Sequence, residues 1–79
     1  MKAFLEYIAK SLVDKPDAVW VEVDEDGDAT VLTLGVDQED MGRVIGRDGR
    51  IANAIRSLLR VMATRDGRHV ELEIVSDAE

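Results

Sequence analysis

The stretch Val44-Ile45-Gly46-Arg47-Asp48-Gly49-Arg50-Ile51 gathers the side chains of this 79-residue chain best suited to hold an anion. Glycines at 46 and 49 permit positive φ and let a ligand approach the main chain closely. Gly49 stands directly before a predicted helix, where unpaired N–H groups and the helix dipole favour phosphate-like charge. Arg47 between the glycines and Arg50 after them add donors that match planar or tetrahedral oxyanions. Asn53 and Arg56, about one and two turns further on, extend that surface toward whatever is attached to the anion.

No competing chemistry assembles elsewhere. The chain has no cysteine, so a disulfide framework and a thiolate metal site are excluded. His69 is the only histidine; it opens a predicted strand without partners for metal binding or base catalysis and reads as surface or groove edge. No Ser–His or paired-carboxylate arrangement suggests an enzyme. Asp24-Glu25-Asp26-Gly27-Asp28 resembles the start of a calcium loop, but the sixth and twelfth positions are Ala29 and Gly35 where glycine and glutamate are needed. Gly42, Gly46 and Gly49 do not make G-x-G-x-x-G, and no Lys-Ser or Lys-Thr follows them. No apolar run approaches the roughly 20 residues of a membrane span. Glu6, Lys10 and Asp14 interrupt any signal-peptide core, so a soluble cytoplasmic domain with no cofactor is expected.

The elements that must position the loop follow from periodicity. Phe4, Leu5, Ile8, Leu12 and Val13 recur at helical intervals between Lys2 and Asp14, with Tyr7 and Ser11 at the border. Pro16 ends that helix, because Lys15 before it is pushed out of the α region. Val19, Val21 and Val23 then alternate with Trp20, Glu22 and Asp24, which predicts a half-buried strand. Glu25–Asp28 reads as a turn. A second strand, Ala29 to Val36, puts Leu32, Leu34 and Val36 on one face and completes a hairpin. Asp37 is placed to cap a short helix reaching about Ile45, with Asp40 in its first turn and Met41, Val44 and Ile45 inward.

Beyond the glycines, a helix from Arg50 to about Thr64 sets Ile51, Ile55, Leu58, Leu59 and Met62 on one stripe. Asn53, Arg56 and Arg60 fall on another face. Arg65–Arg68 is a turn, and Val70, Leu72 and Ile74 alternate with Glu71 and Glu73 in a last strand. Residues 76–79 are expected to fray. The order α-β-β-α-α-β predicts one α+β domain over the whole chain. Its three-stranded sheet is mixed, with an antiparallel hairpin, a parallel return and three helices on one face. The other face would show Trp20, Glu22, Asp24, Val31, Thr33, Glu71 and Glu73.

The formal net charge of −7 argues, taken whole, against a polyanionic partner. Its distribution argues otherwise. Residues 1–41 carry a net −8 and residues 69–79 a net −4, while residues 42–68 carry +5. All seven arginines, at 43, 47, 50, 56, 60, 65 and 68, lie in that middle window. One face can therefore meet a nucleic acid while acids elsewhere suppress non-specific binding.

With these residues in place, Val44–Ile51 resembles the (V/I)-I-G-x-x-G-x-x-I signature of the KH domain, whose GXXG loop clamps a four-nucleotide backbone. The element order is similar to the type II arrangement. Length, order and the Gly-Arg-Asp-Gly-Arg loop resemble the small bacterial single-domain KH proteins of the KhpA family. The resemblance implies that Gly46, Arg47, Asp48 and Gly49 form the phosphate clamp, that Ile45 lines an apolar groove floor and that Ile51 joins the core beneath. It sets the Arg65–Arg68 turn at the far side of the groove. It also implies single-stranded RNA binding through Ile45–Arg50, Asn53, Arg56, Arg65 and Arg68, an RNA-chaperone or post-transcriptional role, and pairing as a homodimer or with a larger KhpB-like KH protein.

A protein-interaction or dimerisation module with little RNA affinity is the alternative. Trp20 could act as a stacking platform, but Glu22 and Asp24 beside it would repel RNA, so a packing or interface role is expected. Either the third helix or the outer sheet face would serve for dimerisation.

Overall fold

The computed structural model describes residues 1–76 and contains three helices, α1 (Lys2–Leu12), α2 (Met41–Ile45) and α3 (Arg50–Arg65), and three strands, β1 (Trp20–Asp26), β2 (Ala29–Val36) and β3 (His69–Ser76). The order is the expected α-β-β-α-α-β, and the fold is α+β of the type II KH kind. β2 lies at the centre of the sheet. It pairs antiparallel with β1, Val21 opposite Leu34, and parallel with β3, Leu32 opposite Leu72. The hairpin turn is shorter than expected. Glu25 and Asp26 extend β1, and only Gly27 and Asp28 make the turn, with Gly27 at φ 63. A two-residue hairpin needs positive φ at its first central position, which glycine supplies.

The core lies between the sheet and the helices. Leu5 and Ala9 of α1, Val44 of α2, and Ala52, Ile55, Leu59 and Ala63 of α3 are buried with Val21, Leu32, Leu34, Val36, Val70 and Leu72 of the sheet. Each fully buried leucine contributes about 1.5–3 kcal/mol of transfer free energy. Two expected core positions lie outside. Val23 is 42% exposed, on the edge strand β1, every residue of which beyond Val21 is exposed. Leu58 is 49% exposed. The buried stripe of α3 centres on Leu59, and Leu58 is turned about 100° away from it.

Of the end expected to fray, residues 76–79, only Ser76 is described. Ser76 is the last residue of β3 and lies opposite Val36, whereas residues 77–79 fall outside the described part. Helix α1 stops at Leu12 rather than Asp14, with Val13 extended. The cause is a distant side chain. The carboxylate of Asp40, itself only 2% exposed, accepts hydrogen bonds from the backbone N–H of Asp14 and Lys15, both 3.1 Å. These donors are thereby satisfied outside a helix, and the chain is free to leave it. Asp40 ends a 3-10 turn, Gln38–Asp40, which Asp37 caps by accepting from the N–H of Glu39 at 2.9 Å.

On the outer sheet face Trp20 covers Gly35 and is half-buried, the packing role expected for it. A side chain at position 35 would overlap the indole, so glycine is required there by close approach.

Candidate nucleic-acid interface

The loop between α2 and α3 is built from three consecutive demands on the backbone. The N–H of Gly46 ends α2 by bonding to the carbonyl of Gly42 at 2.9 Å, and that of Gly49 bonds to the carbonyl of Gly46 at 3.2 Å. Gly46 has φ 76 and ψ 175, a region open essentially to glycine alone. Asp48, at φ 57 and ψ 24, and Gly49, at φ 76 and ψ 15, are both left-handed. Aspartate is among the few non-glycine residues that enter this region readily. The carboxylate at the loop tip is thus accompanied by a backbone reason for its presence.

Gly49 is the N-cap of α3 and makes no side-chain cap bond to it. The N–H of Arg50 bonds to the carbonyl of Arg47, closing the turn into α3, and the side chains of Arg47 and Arg50 are exposed beside that helix start. Neither guanidinium has an ion pair or hydrogen bond among the described residues. The site combines a helix N-terminus without a side-chain cap, the dipole of that helix and two guanidinium groups free of partners among the described residues, which suits a phosphate diester. Ile45 is half-buried against the core, and Ile51 packs behind Gly46.

The other arginines are not equivalent. Arg43 is held at 2.9 Å by Asp14 and at 3.4 Å by Asp40, so it ties α2 to the exit of α1. Arg56 is half-buried on the flank of α3 that faces β3. Its Nη1 donates to Asn53 Oδ1 at 2.8 Å and its Nη2 to the Leu72 carbonyl at 3.4 Å. Asn53 and Arg56 thus continue the loop as one bonded pair.

Arg65 and Arg68 lie at the opposite end of α3, about 20 Å away at 1.5 Å rise per residue. Arg68 is directed to β2. Its Nε and Nη2 donate to Thr30 Oγ1 at 3.1 and 3.0 Å, and Nη2 reaches the Ala29 carbonyl at 3.4 Å and Glu25 at 3.8 Å. The turn that aims it is a Schellman motif, with the N–H of Arg68 on the Ala63 carbonyl at 2.9 Å, that of Gly67 on Thr64 at 3.0 Å and Gly67 at φ 69. The structure brings Ile45–Arg50, Asn53 and Arg56 together; Arg65 and Arg68 stand apart. Of Arg60, Thr64 and His69 at that end, Thr64 was not singled out from the sequence, and His69 was read there as surface or groove edge. Arg60 was visible there only as the next residue on the Asn53–Arg56 face.

The sequence model described as KhpA/KhpB, KH domain matches residues 2–74. A protein of Borreliella burgdorferi named RNA-binding protein KhpA is 52% identical over 90% of this chain and 87% of its own. Proteins of the same name from Clostridium acetobutylicum and Halalkalibacterium halodurans are 48% and 45% identical, each over 95% of this chain and 100% and 99% of their own. Their names denote RNA binding. Among solved structures, Aquifex aeolicus Era bound to GDP and aluminium fluoride superimposes with a TM-score of 0.61 at 21% identity. Era in complex with MgGDPNP and nucleotides 1506–1542 of 16S ribosomal RNA gives 0.56 at 21% identity. The match covers 95% of this chain and 29% of each Era chain, and it speaks for the fold. No helix among the described residues is long and apolar enough to cross a membrane. By the span of the family match and by these identities, the chain belongs to the KhpA/KhpB family of KH domains.

Proposed function

We propose that this chain binds single-stranded RNA at the Gly46–Arg50 corner and acts as an RNA chaperone or post-transcriptional regulator in the cytoplasm. One observation carries the reading. Gly46, Asp48 and Gly49 hold positive φ in the corner that leads to the start of α3, which has no side-chain cap, beside the guanidinium groups of Arg47 and Arg50, which have no partner among the described residues. Asn53 and Arg56 lie along the strand's continuation, toward β3. The family's name for its relatives supports RNA as the polyanion. Pairing as a homodimer or with a KhpB-like KH protein belongs to the same reading.

A second reading, a protein-interaction module with weak RNA affinity, is favoured by Val61 and Leu58, which are 60% and 49% exposed on α3. The two separate in one titration of a labelled RNA pool with the pure protein, alone and with a KhpB-like partner, at two salt concentrations. RNA retention that falls steeply with salt supports the loop. Absent or salt-independent binding in both cases overturns it.

A further inference from the structure

A recess at the far end of α3 is not used by the loop. It encloses about 170 Å³ between Arg60, Ala63 and Thr64 of α3, Arg68 of the following turn, and His69 and Val70 at the start of β3. Four of these six side chains can donate hydrogen bonds, and none is a carboxylate. Arg60 is exposed and has no ion pair or hydrogen bond among the described residues. Arg68 commits Nε and Nη2 to Thr30 and Ala29, and no hydrogen bond among the described residues uses its Nη1. The nearest paired acid is Glu25, 3.8 Å from Nη2. The negative end of the helix is partly covered here. The N–H groups of Asp66 and Arg68 cover the carbonyl of Ala63, and that of Gly67 covers Thr64.

Position along α3 links this recess to the loop. At about 100° per residue, Asn53, Arg56, Arg60 and Thr64 fall within an arc of about 80°. That arc borders β3, as the Arg56–Leu72 bond fixes. Arg50 and Thr64 are about 21 Å apart along the axis. A four-nucleotide clamp at the loop would leave this end to the part of the strand beyond it.

We infer that the recess formed by Arg60, Thr64, Arg68 and His69 is a second oxyanion subsite, which takes a phosphate of the RNA strand beyond the nucleotides held at Gly46–Arg50. This inference rests on the RNA reading above, and the experiment keeps the two apart. The first arm titrates ¹⁵N-labelled protein with inorganic phosphate. The amides of Thr64, Arg68 and His69 should shift saturably in the wild type and stay in place in Arg60→Gln, whose remaining spectrum should be unchanged. The second arm compares oligonucleotides of four and eight nucleotides. Arg60→Gln should weaken the longer one about fivefold, lower its log–log salt slope by about 0.7 and leave the shorter one unaltered.

Amides that ignore phosphate overturn the subsite. Phosphate shifts without a length-dependent loss overturn its assignment to RNA. Arg47→Asp serves as the control for the loop. If it leaves the four-nucleotide ligand bound, the loop reading fails, while the phosphate arm still judges the recess.

Discussion

A methyl group placed on Gly46 would stand 2.6 Å from Cγ1 and 3.0 Å from Cβ of Ile51. The first glycine of the loop and the isoleucine that follows the second are therefore interlocked, and the loop is seated on the core through this contact. Gly46 is constrained twice, by its φ of 76 with ψ of 175 and by the closeness of Ile51.

Gly49 is constrained once. It shares a φ of 76, but the nearest atom to an added methyl is Asn53 Nδ2 at 3.9 Å. Gly46→Ala should cost about 2–4 kcal/mol, combining backbone strain with overpacking. Gly49→Ala should cost about 1–2 kcal/mol, the strain alone. Urea unfolding of both variants measures the difference. A loss at Gly49 equal to or larger than that at Gly46 would refute the interlock. Truncation of Ile51 to alanine in the Gly46→Ala background should cost less than the two separate losses combined.

Much of this was legible from residue types. The glycine spacing, the arginine window and the period-2 valines and leucines specify the strands, the corner and its charge, because each is a local pattern. Three features were not legible. Leu58 and Leu59 are adjacent apolar residues, and only the packing of Ile55 and Ala63 decides that Leu59 faces inward. Asp40 reads as a first-turn acid, whereas its partners lie 25 and 26 residues earlier. Arg43 and Arg68 read as equivalent members of one cationic cluster, but Asp14 and Asp40 hold Arg43 in the scaffold, and Thr30 takes two of the three guanidinium nitrogens of Arg68.

The Asp40 anchor gives a stability prediction. Its buried carboxylate joins α2 to the exit of α1 through two backbone donors and Arg43. Asp40→Ala strips both N–H groups of their acceptor and should destabilise the domain by about 2–3 kcal/mol. For a chain of this length that corresponds to a melting point about 8–24 °C lower. Asp40→Asn keeps one acceptor oxygen and should lose less. Equal melting points for wild type and Asp40→Ala would show the anchor to be dispensable.

Trp20 and Gly35 provide an optical test of the outer sheet face. Gly35 lies in the central strand with ordinary extended backbone, so a substitution acts there by space alone. Gly35→Ala should push the indole off the sheet into water, at a cost of about 1–3 kcal/mol. Tryptophan emission should move to longer wavelength and become more readily quenched by iodide. Unchanged emission would mean that the sheet accepts a methyl group beneath the ring.

The arginines can be sorted by what holds them, and this is the sharpest test of the loop. Arg47 has no partner among the described residues, whereas Arg43 is fixed by Asp14 and Asp40. About four phosphate contacts on a single strand predict a log–log salt slope near −3, by the rule of about −0.7 per contact. Arg47→Asp removes one such contact and adds a repelling charge. It should reduce the slope toward about −2 and weaken binding about tenfold or more. Its circular dichroism spectrum and melting point should remain close to wild type, because the loop tip is exposed. Arg43→Ala should do the reverse. Loss of its ion pairs should cost about 1 kcal/mol of stability, while RNA affinity stays within about twofold. Filter-binding titrations at several salt concentrations, paired with thermal melts of the same samples, separate the two effects. Equal losses of RNA affinity in both variants would mean that net charge across residues 42–68, and not the geometry of the corner, drives binding.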